Sequence, residues 1–419
     1  MLNAIRKYLA VDADDARAML ERVFRDHPTR NFAVRLWDGQ ELTWTDTRAF
    51  TLTFLDAETF RLCLASADPA RFAEAYVDGH LLIEGDLWEA SGLGSYIRKL
   101  ELGVRDKLKF APKLVVPASS HTVEHDRRDV QAHYDLSDDF FRLFLDEKMV
   151  YSCAYFATPE QDLERAQERK LDLICRKLAL HPGETLLDVG CGWGALLIWA
   201  AQRYGVCAHG ITLSENQAAE ARHRVEAAGL GDRVTIELCH YADLPAERYD
   251  KISSVGMYEH VGTAKLPDYL GAVHRALRPG GLFLNHGITA PPGGPEHTGG
   301  AFIFRHVFPG AELAPVAHIQ TELEDIGFEI VDVQGLREHY ALTLRAWFER
   351  FITRRAEAAR MVSGDVLRVW DLYLAGCARA FEEGVIGVHQ VLAARPDEHG
   401  RTRAPLTREQ MLQPLDIQS

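Results

Sequence analysis

The chain lacks cysteine pairs at CxxC spacing, any apolar run long enough to cross a bilayer, and any surplus of positive charge. Its seven cysteines, at 63, 153, 175, 191, 207, 239 and 377, are odd in number and scattered. That argues against a disulfide scaffold or a zinc finger and for reduced thiols of the cytosolic kind. The apolar stretch from Gly194 to Ala201 falls far short of the roughly 18 residues a spanning helix needs. The N-terminal MLNAIRKYLAVDADDARAML meets Asp12, Asp14 and Asp15 before an apolar stretch develops, so no signal peptide is expected. With 47 Lys+Arg against 61 Asp+Glu, the net charge of −14 makes nucleic acid a poor partner. Internal repeats and metal-ligand spacings are also missing; His121 and His125 form an i, i+4 pair without a third ligand.

What remains is an ordinary core-forming composition, 47% hydrophobic and 26% charged. The length allows two or three domains at about 100–200 residues each. Residues 1–115 read as a small α+β unit. Helical spacing runs over 12–25, a hairpin turns at Asp38-Gly39, a strand covers Phe50–Leu55, a helix lies near Ala57–Ser66, and PARFAEAYVDGHLLIEGDLWEA reads helix–strand–helix. The GHLLIEGD part resembles a strand of sterol-carrier-type lipid-binding domains, although Gly79 and Gly85 also suit plain turns. Gly103–Asp126 reads as a linker. Ser95–Lys113 carries six basic residues against two acidic ones: either a solvated face or a patch for anionic lipid headgroups. From 116 to 395 strands alternate with helices, the pattern of an α/β sheet. Strands are expected at 184–189, 206–212, 233–238, 250–255 and 281–286. Helices are expected at 194–204, 214–228 and 263–277, with a further one capped by Thr158 and running to Leu180. Residues 396–419 read as a loose tail.

TLLDVGCGWG (185–194) places an apolar strand and an acid, Asp188, before Gly190, Gly192 and Gly194 at a helix start. Glycines there let the backbone approach a ligand, and the helix N-terminus offers free N–H groups. A dinucleotide site would prefer GxGxxG and an acid ending the next strand, where this chain has Thr212. The C-G-W-G turn and the later ALRPGGLFL (276–284) instead resemble the S-adenosylmethionine (SAM) methyltransferases, which implies their Rossmann-like sheet.

HYDLSDDFFRLFLD (133–146), MVYSCAYF (149–156), GITLSENQ (210–217), SVGMYEHVG (254–262), NHGI (285–288) and HYALTLRAWFERF (339–351) narrow the likeness. In this order they resemble the cyclopropane-fatty-acyl-phospholipid synthases over about 127–395. The resemblance implies a SAM site at Tyr151, Ser152, Asp188, Gly190, Gly192, Gly194, Thr212, Leu213, Gln217 and Asp243. It also implies a bicarbonate pocket at Cys153, Glu259, His286, Ile288 and Tyr340, with Cys153 and Ile288 contributing backbone atoms. The chemistry requires such a pocket. An alkene attacking the SAM methyl leaves a cationic carbon, and ring closure needs a base within about 3 Å of the proton that leaves. Tyr151, Tyr155, Phe156, Tyr258, Tyr340 and Trp347 suit a tunnel that stabilises the cation through ring faces, or equally a plain core.

Cys377, in YLAGCARAF, matches a cysteine proposed as active in this family, yet its apolar helical surroundings suit a structural thiol. His306 stands where relatives carry an aromatic, which leaves the acyl channel open. The expected partners are an unsaturated phospholipid acyl chain, a peripheral membrane surface on the cytoplasmic inner face, and a second copy in a homodimer. The competing readings are a lipid C-methyltransferase giving a methyl or methylene branch, and a lipid carrier with a degenerate catalytic half.

Overall fold

The computed structural model describes residues 12–66, 68–99, 136–292 and 300–412, which divide into two compact units. The first comprises residues 1–136, 295–309 and 351–379; the second comprises 137–294, 310–350 and 380–419. This division differs from contiguous blocks, because two later segments cluster with the N-terminal one.

In the first unit α1 (Ala13–Val23) precedes β1 (Phe32–Arg35), β2 (Glu41–Thr43) and β3 (Phe50–Phe54). Then come α2 (Ala57–Ser66), α3 (Pro69–Val77), β4 (Leu81–Gly85) and α4 (Leu87–Arg98). The sheet order is β2-β1-β3-β4, with β1 parallel to β3 and the other pairs antiparallel. Phe24, Phe32, Phe50, Phe54 and Phe60 fill its core, burial that each contributes about 1.5–3 kcal/mol. The expected elements therefore form. Val77 of α3 packs against Phe302 and Val369, which explains why the later segments cluster here. The Gly103–Asp126 linker, His121 and His125, and most of the basic stretch lie outside the described residues.

The second unit holds α5 (Asp138–Phe141), α6 (Leu163–Lys177), β5 (Thr185–Val189), α7 (Ala195–Tyr204), β6 (Cys207–Thr212), α8 (Glu215–Ala227) and β7 (Val234–Leu238). Next are β8 (Tyr249–Val255), α9 (Leu266–Ala276) and β9 (Leu277–Thr289). Of the later elements, α10 (Gly300–His306), α13 (Arg355–Ala358) and most of α14 (Gly364–Glu382) fall in the first unit, while α11 (Val316–Ile326), β10 (Glu329–Gly335), most of α12 (Arg337–Thr353), β11 (Gly387–Ala394) and α15 (Glu409–Leu412) fall in the second. The seven-stranded sheet runs β10-β11-β9-β8-β5-β6-β7. β9, β8, β5, β6 and β7 are parallel, and β11 is antiparallel to both β9 and β10. The chain winds outward from β5 through β6 to β7, then crosses to β8 on the other side. That reversal opens a crevice at the carboxyl ends of β5 and β8, the usual ligand position in such sheets.

Two expectations need correction. α6 starts at Asp162, whose carboxylate accepts from the Arg165 N–H, not at Thr158. The residues before it close a turn of their own, with the Gln161 side chain accepting from the Ala157 N–H at 2.7 Å. Leu163 opens the buried stripe, so the cap nearest to it prevails. Nor is the stretch after Arg395 loose as far as Leu412. Met411 is buried, its carbonyl accepts from Arg176 at 2.7 Å, and Arg408 pairs with Asp332 at 2.6 Å.

Candidate active site

β5 delivers Asp188 and then the glycine turn to the crevice. Asp188 is buried and accepts from the Ser253 hydroxyl at 2.7 Å. Burial pushes its carboxyl up to about 6, against that hydrogen bond and the charge of Lys170. Gly190, Gly192 and Gly194 all have positive φ. Their uses differ. A Cβ on Gly194 would press on Ala221 at 3.4 Å, so this glycine lets α7 and α8 pack. Among the described residues a Cβ on Gly192 would meet nothing within 4 Å, at a φ of +52°. Such a position can let a ligand approach the backbone.

After β6, Thr212 donates its hydroxyl to Gln217 Oε1 at 3.1 Å, so the two are bonded to each other across the strand–helix junction. Leu213 is 71% exposed, an apolar side chain bare at the carboxyl edge and suited to an adenine face. Asp243 lies exposed in the short 3-10 turn Tyr241–Asp243 after β7. Tyr151 and Ser152 are half-buried.

The second cluster sits on the turn after β8 and on the last residues of β9. Glu259 is buried and accepts from the Ile288 N–H through Oε1 at 2.7 Å, while Oε2 is buried without a partner among the described residues. Burial pushes this carboxyl up to about 7, against the Ile288 bond. Gly287 has no room for a side chain, because Tyr258 and Glu259 press on the strand there. His286 is buried; Nδ1 meets Gln390 Nε2 at 3.1 Å, and Nε2 has no partner among the described residues. Burial, then the charges of Lys170 and Lys177, hold the imidazole well below its usual basicity, so it is neutral. Ile288 departs from expectation: its N–H serves Glu259 and its carbonyl accepts from the Tyr258 hydroxyl. Its backbone holds the protein's own groups in place instead of offering atoms to a ligand.

Cys153 and Tyr340 reach this cluster through Leu336. The buried Cys153 thiol, pushed upward by burial, points at the Leu336 carbonyl at 3.8 Å, and the Tyr340 N–H donates to that same carbonyl at 3.1 Å. Leu336 in turn donates to Val388, which stands opposite Ile288 in the β9–β11 register. A file of rings joins the glycine turn to this point. Trp193, Phe141, Tyr151, Trp347, Tyr340 and Phe381 follow one another at centroid spacings of 5.2, 5.3, 5.3, 6.1 and 4.6 Å. Of the other aromatics expected to line a tunnel, Tyr155 packs on His339, Phe156 is buried with its N–H donating to His339, and Tyr258 lies in the core beside β9. Cys377 belongs to the first unit, on α14, its thiol pushed up to about 12 by burial; it is not among these side chains. His306 belongs there too, and pairs with Glu74.

Sequence reading missed Gln167, Lys170 and Gln390. Gln167 donates to the Ser152 carbonyl at 2.9 Å and Lys170 Nζ to the Ser152 hydroxyl at 2.9 Å, so α6 holds Ser152 from two directions. Burial lowers Lys170 to about 8, opposed by the carboxylates of Asp146 and Asp188. In LERAQERKLDLICRK it looks like one solvated lysine among many. The available signal was its spacing, since Ala166, Lys170 and Ile174 share the buried stripe.

Residues 121–391 match the family model of mycolic acid cyclopropane synthetase. A probable fatty acid methyltransferase of Pseudomonas putida is 42% identical over 382 residues, covering 90% of this chain and 95% of its own. Cyclopropane mycolic acid synthase MmaA2 of Mycobacterium tuberculosis is 38% identical, covering 64% of this chain and 96% of its own. Its solved structure superposes with a TM-score of 0.60 over 64% of this chain and 97% of that one. Mycolic acid cyclopropane synthase CmaA1, solved with SAH and CTAB, gives the same TM-score at 38% identity over 64% and 97% of the two chains. The crevice at the ends of β5 and β8, with the glycine cradle and the buried acid–imidazole cluster beside it, thus lies in a SAM-methyltransferase fold, and the chain belongs to the mycolic acid cyclopropane synthetase family.

Proposed function

We propose that this chain is a SAM-dependent lipid-modifying transferase that adds a methylene group across the cis double bond of an unsaturated phospholipid acyl chain, forming a cyclopropane ring. The observation that carries the reading is that Glu259 Oε2 and His286 Nε2 are two of the buried polar atoms left without partners among the described residues. Unmatched buried polar atoms cost about 1–3 kcal/mol each, and two together fit a small polar ligand. Bicarbonate suits them, having one O–H to give and further oxygens to accept. When bound, SAM supplies an activated methyl group and bicarbonate an oxygen base. The chain's residues do the rest. Gly192 leaves backbone open to the methyl donor, Lys170 and Gln167 fix Ser152, and Glu259 and His286 orient the base. The ring faces of Tyr151, Trp347 and Tyr340 stabilise positive charge on the acyl carbon. We extend the proposal to a peripheral enzyme on the inner membrane face, working as a homodimer.

A second reading, a fatty acid C-methyltransferase giving a branch, draws support from the relative matched along 90% of this chain, which is named a probable fatty acid methyltransferase. Incubation with SAM and cis-unsaturated phospholipid vesicles, followed by proton NMR of the acyl chains, separates the two. Shielded ring-proton signals accompany a cyclopropane, and vinylidene or branch-methyl signals a branched product. An unchanged lipid would rule out both.

A further inference from the structure

β11 lies antiparallel to β9 and sets Gln390 directly opposite His286. Both side chains are buried, at 0% and 2% exposure. We propose that Gln390 is a positioning residue that fixes the His286 tautomer, so that His286 turns an N–H, and not a lone pair, toward a ligand at its Nε2. This rests on the reading of the cluster as an anion-holding pocket.

A neutral imidazole has one nitrogen that donates and one that accepts. The amide nitrogen of Gln390 can only donate, and it stands 3.1 Å from Nδ1. Nδ1 therefore accepts and the ring proton resides on Nε2, the atom left without a partner among the described residues. The ring stays neutral through burial and the nearby positive charge of Lys170 and Lys177, with His389 also alongside. His286 then offers Nε2–H as a donor to a ligand. With the amide reversed, Nδ1 would carry the proton and Nε2 would offer a lone pair. That arrangement repels an anion, whereas the assigned one matches an oxyanion.

The test is ¹⁵N NMR of histidine-labelled protein, with the His286 signals assigned by their loss in His286→Asn. Wild type should show a pyridine-like Nδ1 and a protonated Nε2. Gln390→Glu, whose carboxylate accepts, should move the proton to Nδ1. Gln390→Met, similar in volume, should leave the two tautomers mixed. In Gln390→Glu half-saturation by bicarbonate should need about tenfold more ligand, the scale of one hydrogen bond to a charged group, and in Gln390→Met about twofold more, the competent tautomer being about half populated; SAH affinity by calorimetry stays unchanged in both. A wild-type ring protonated at Nδ1, or tautomer signals unmoved in both variants, overturns the inference. The tautomer readout needs neither methyl donor nor lipid. Wild-type His286 signals that ignore added bicarbonate would sink the pocket reading alone and leave the tautomer result standing.

Discussion

At the residue scale, Glu259 joins chemistry to stability. Glu259→Gln should lower turnover by about 10²-fold, the usual size of a lost acid–base group, with SAM affinity unchanged in calorimetry. Its effect on stability has the opposite sign. The folded carboxyl is raised to about 7, so the folded state binds the proton more tightly than the unfolded one. Wild-type stability should therefore fall as pH rises from the ordinary carboxyl range to about 7, then level off. The glutamine variant has no such loss, so its melting temperature should overtake wild type by about pH 8. Parallel melting curves across that range would show that Glu259 is not raised. Gly192→Val tests the cradle. The new side chain has space around it but sits at a φ of +52° where a ligand's path runs. SAM binding should disappear in a protein that still folds; a folded variant with normal affinity would remove Gly192 from the site.

Elements explain why some residues were legible and others were not. β5, β6, β7 and β8 fall within one residue of expectation, because short apolar runs bounded by glycine and charge are strong local signals. β9 is longer than expected, Leu277–Thr289 instead of 281–286. It is held on both sides by β8 and β11, and no local signal reports a neighbour that arrives a hundred residues later. α6 shows how two credible caps compete. Asp162→Ala should cost about 1 kcal/mol in chemical denaturation, while Thr158→Ala should cost almost nothing. Equal losses from the two would restore the earlier start. The same helix carries Gln167 and Lys170 to Ser152, so the cap indirectly supports the cofactor edge.

At the scale of the whole molecule, the proposed membrane contact would bring a chain of net charge −14 to an anionic bilayer. Removing residues 1–115 is a poor test, because Val77 packs with Phe302 and Val369, and the deletion would strip that apolar cover. Charge reversal is cleaner. Changing Arg105, Lys107 and Lys109 to Glu should reduce sedimentation with anionic vesicles and slow turnover on bilayers, each basic residue contributing about 1 kcal/mol near such a surface. SAM binding in solution should persist. Equal sedimentation by the reversed protein would make the stretch a solvated face.

The sequence by itself determined the sheet class, the glycine turn, the family resemblance and the identities of Asp188, Glu259 and His286. Each of these is encoded within a few neighbouring residues, as an apolar run, a turn or a short motif. Only the tertiary structure decided which polar atoms are left unmatched. Glu259 comes from the turn after β8 and His286 from β9, and Gln390 reaches His286 across a register 104 residues apart. It also decided that Lys170 is buried, that the Ile288 backbone is already taken, and that Cys377 belongs to the other unit. Hydrogen-bond satisfaction is a property of all the groups that surround an atom, and a linear pattern holds only those beside it in the chain.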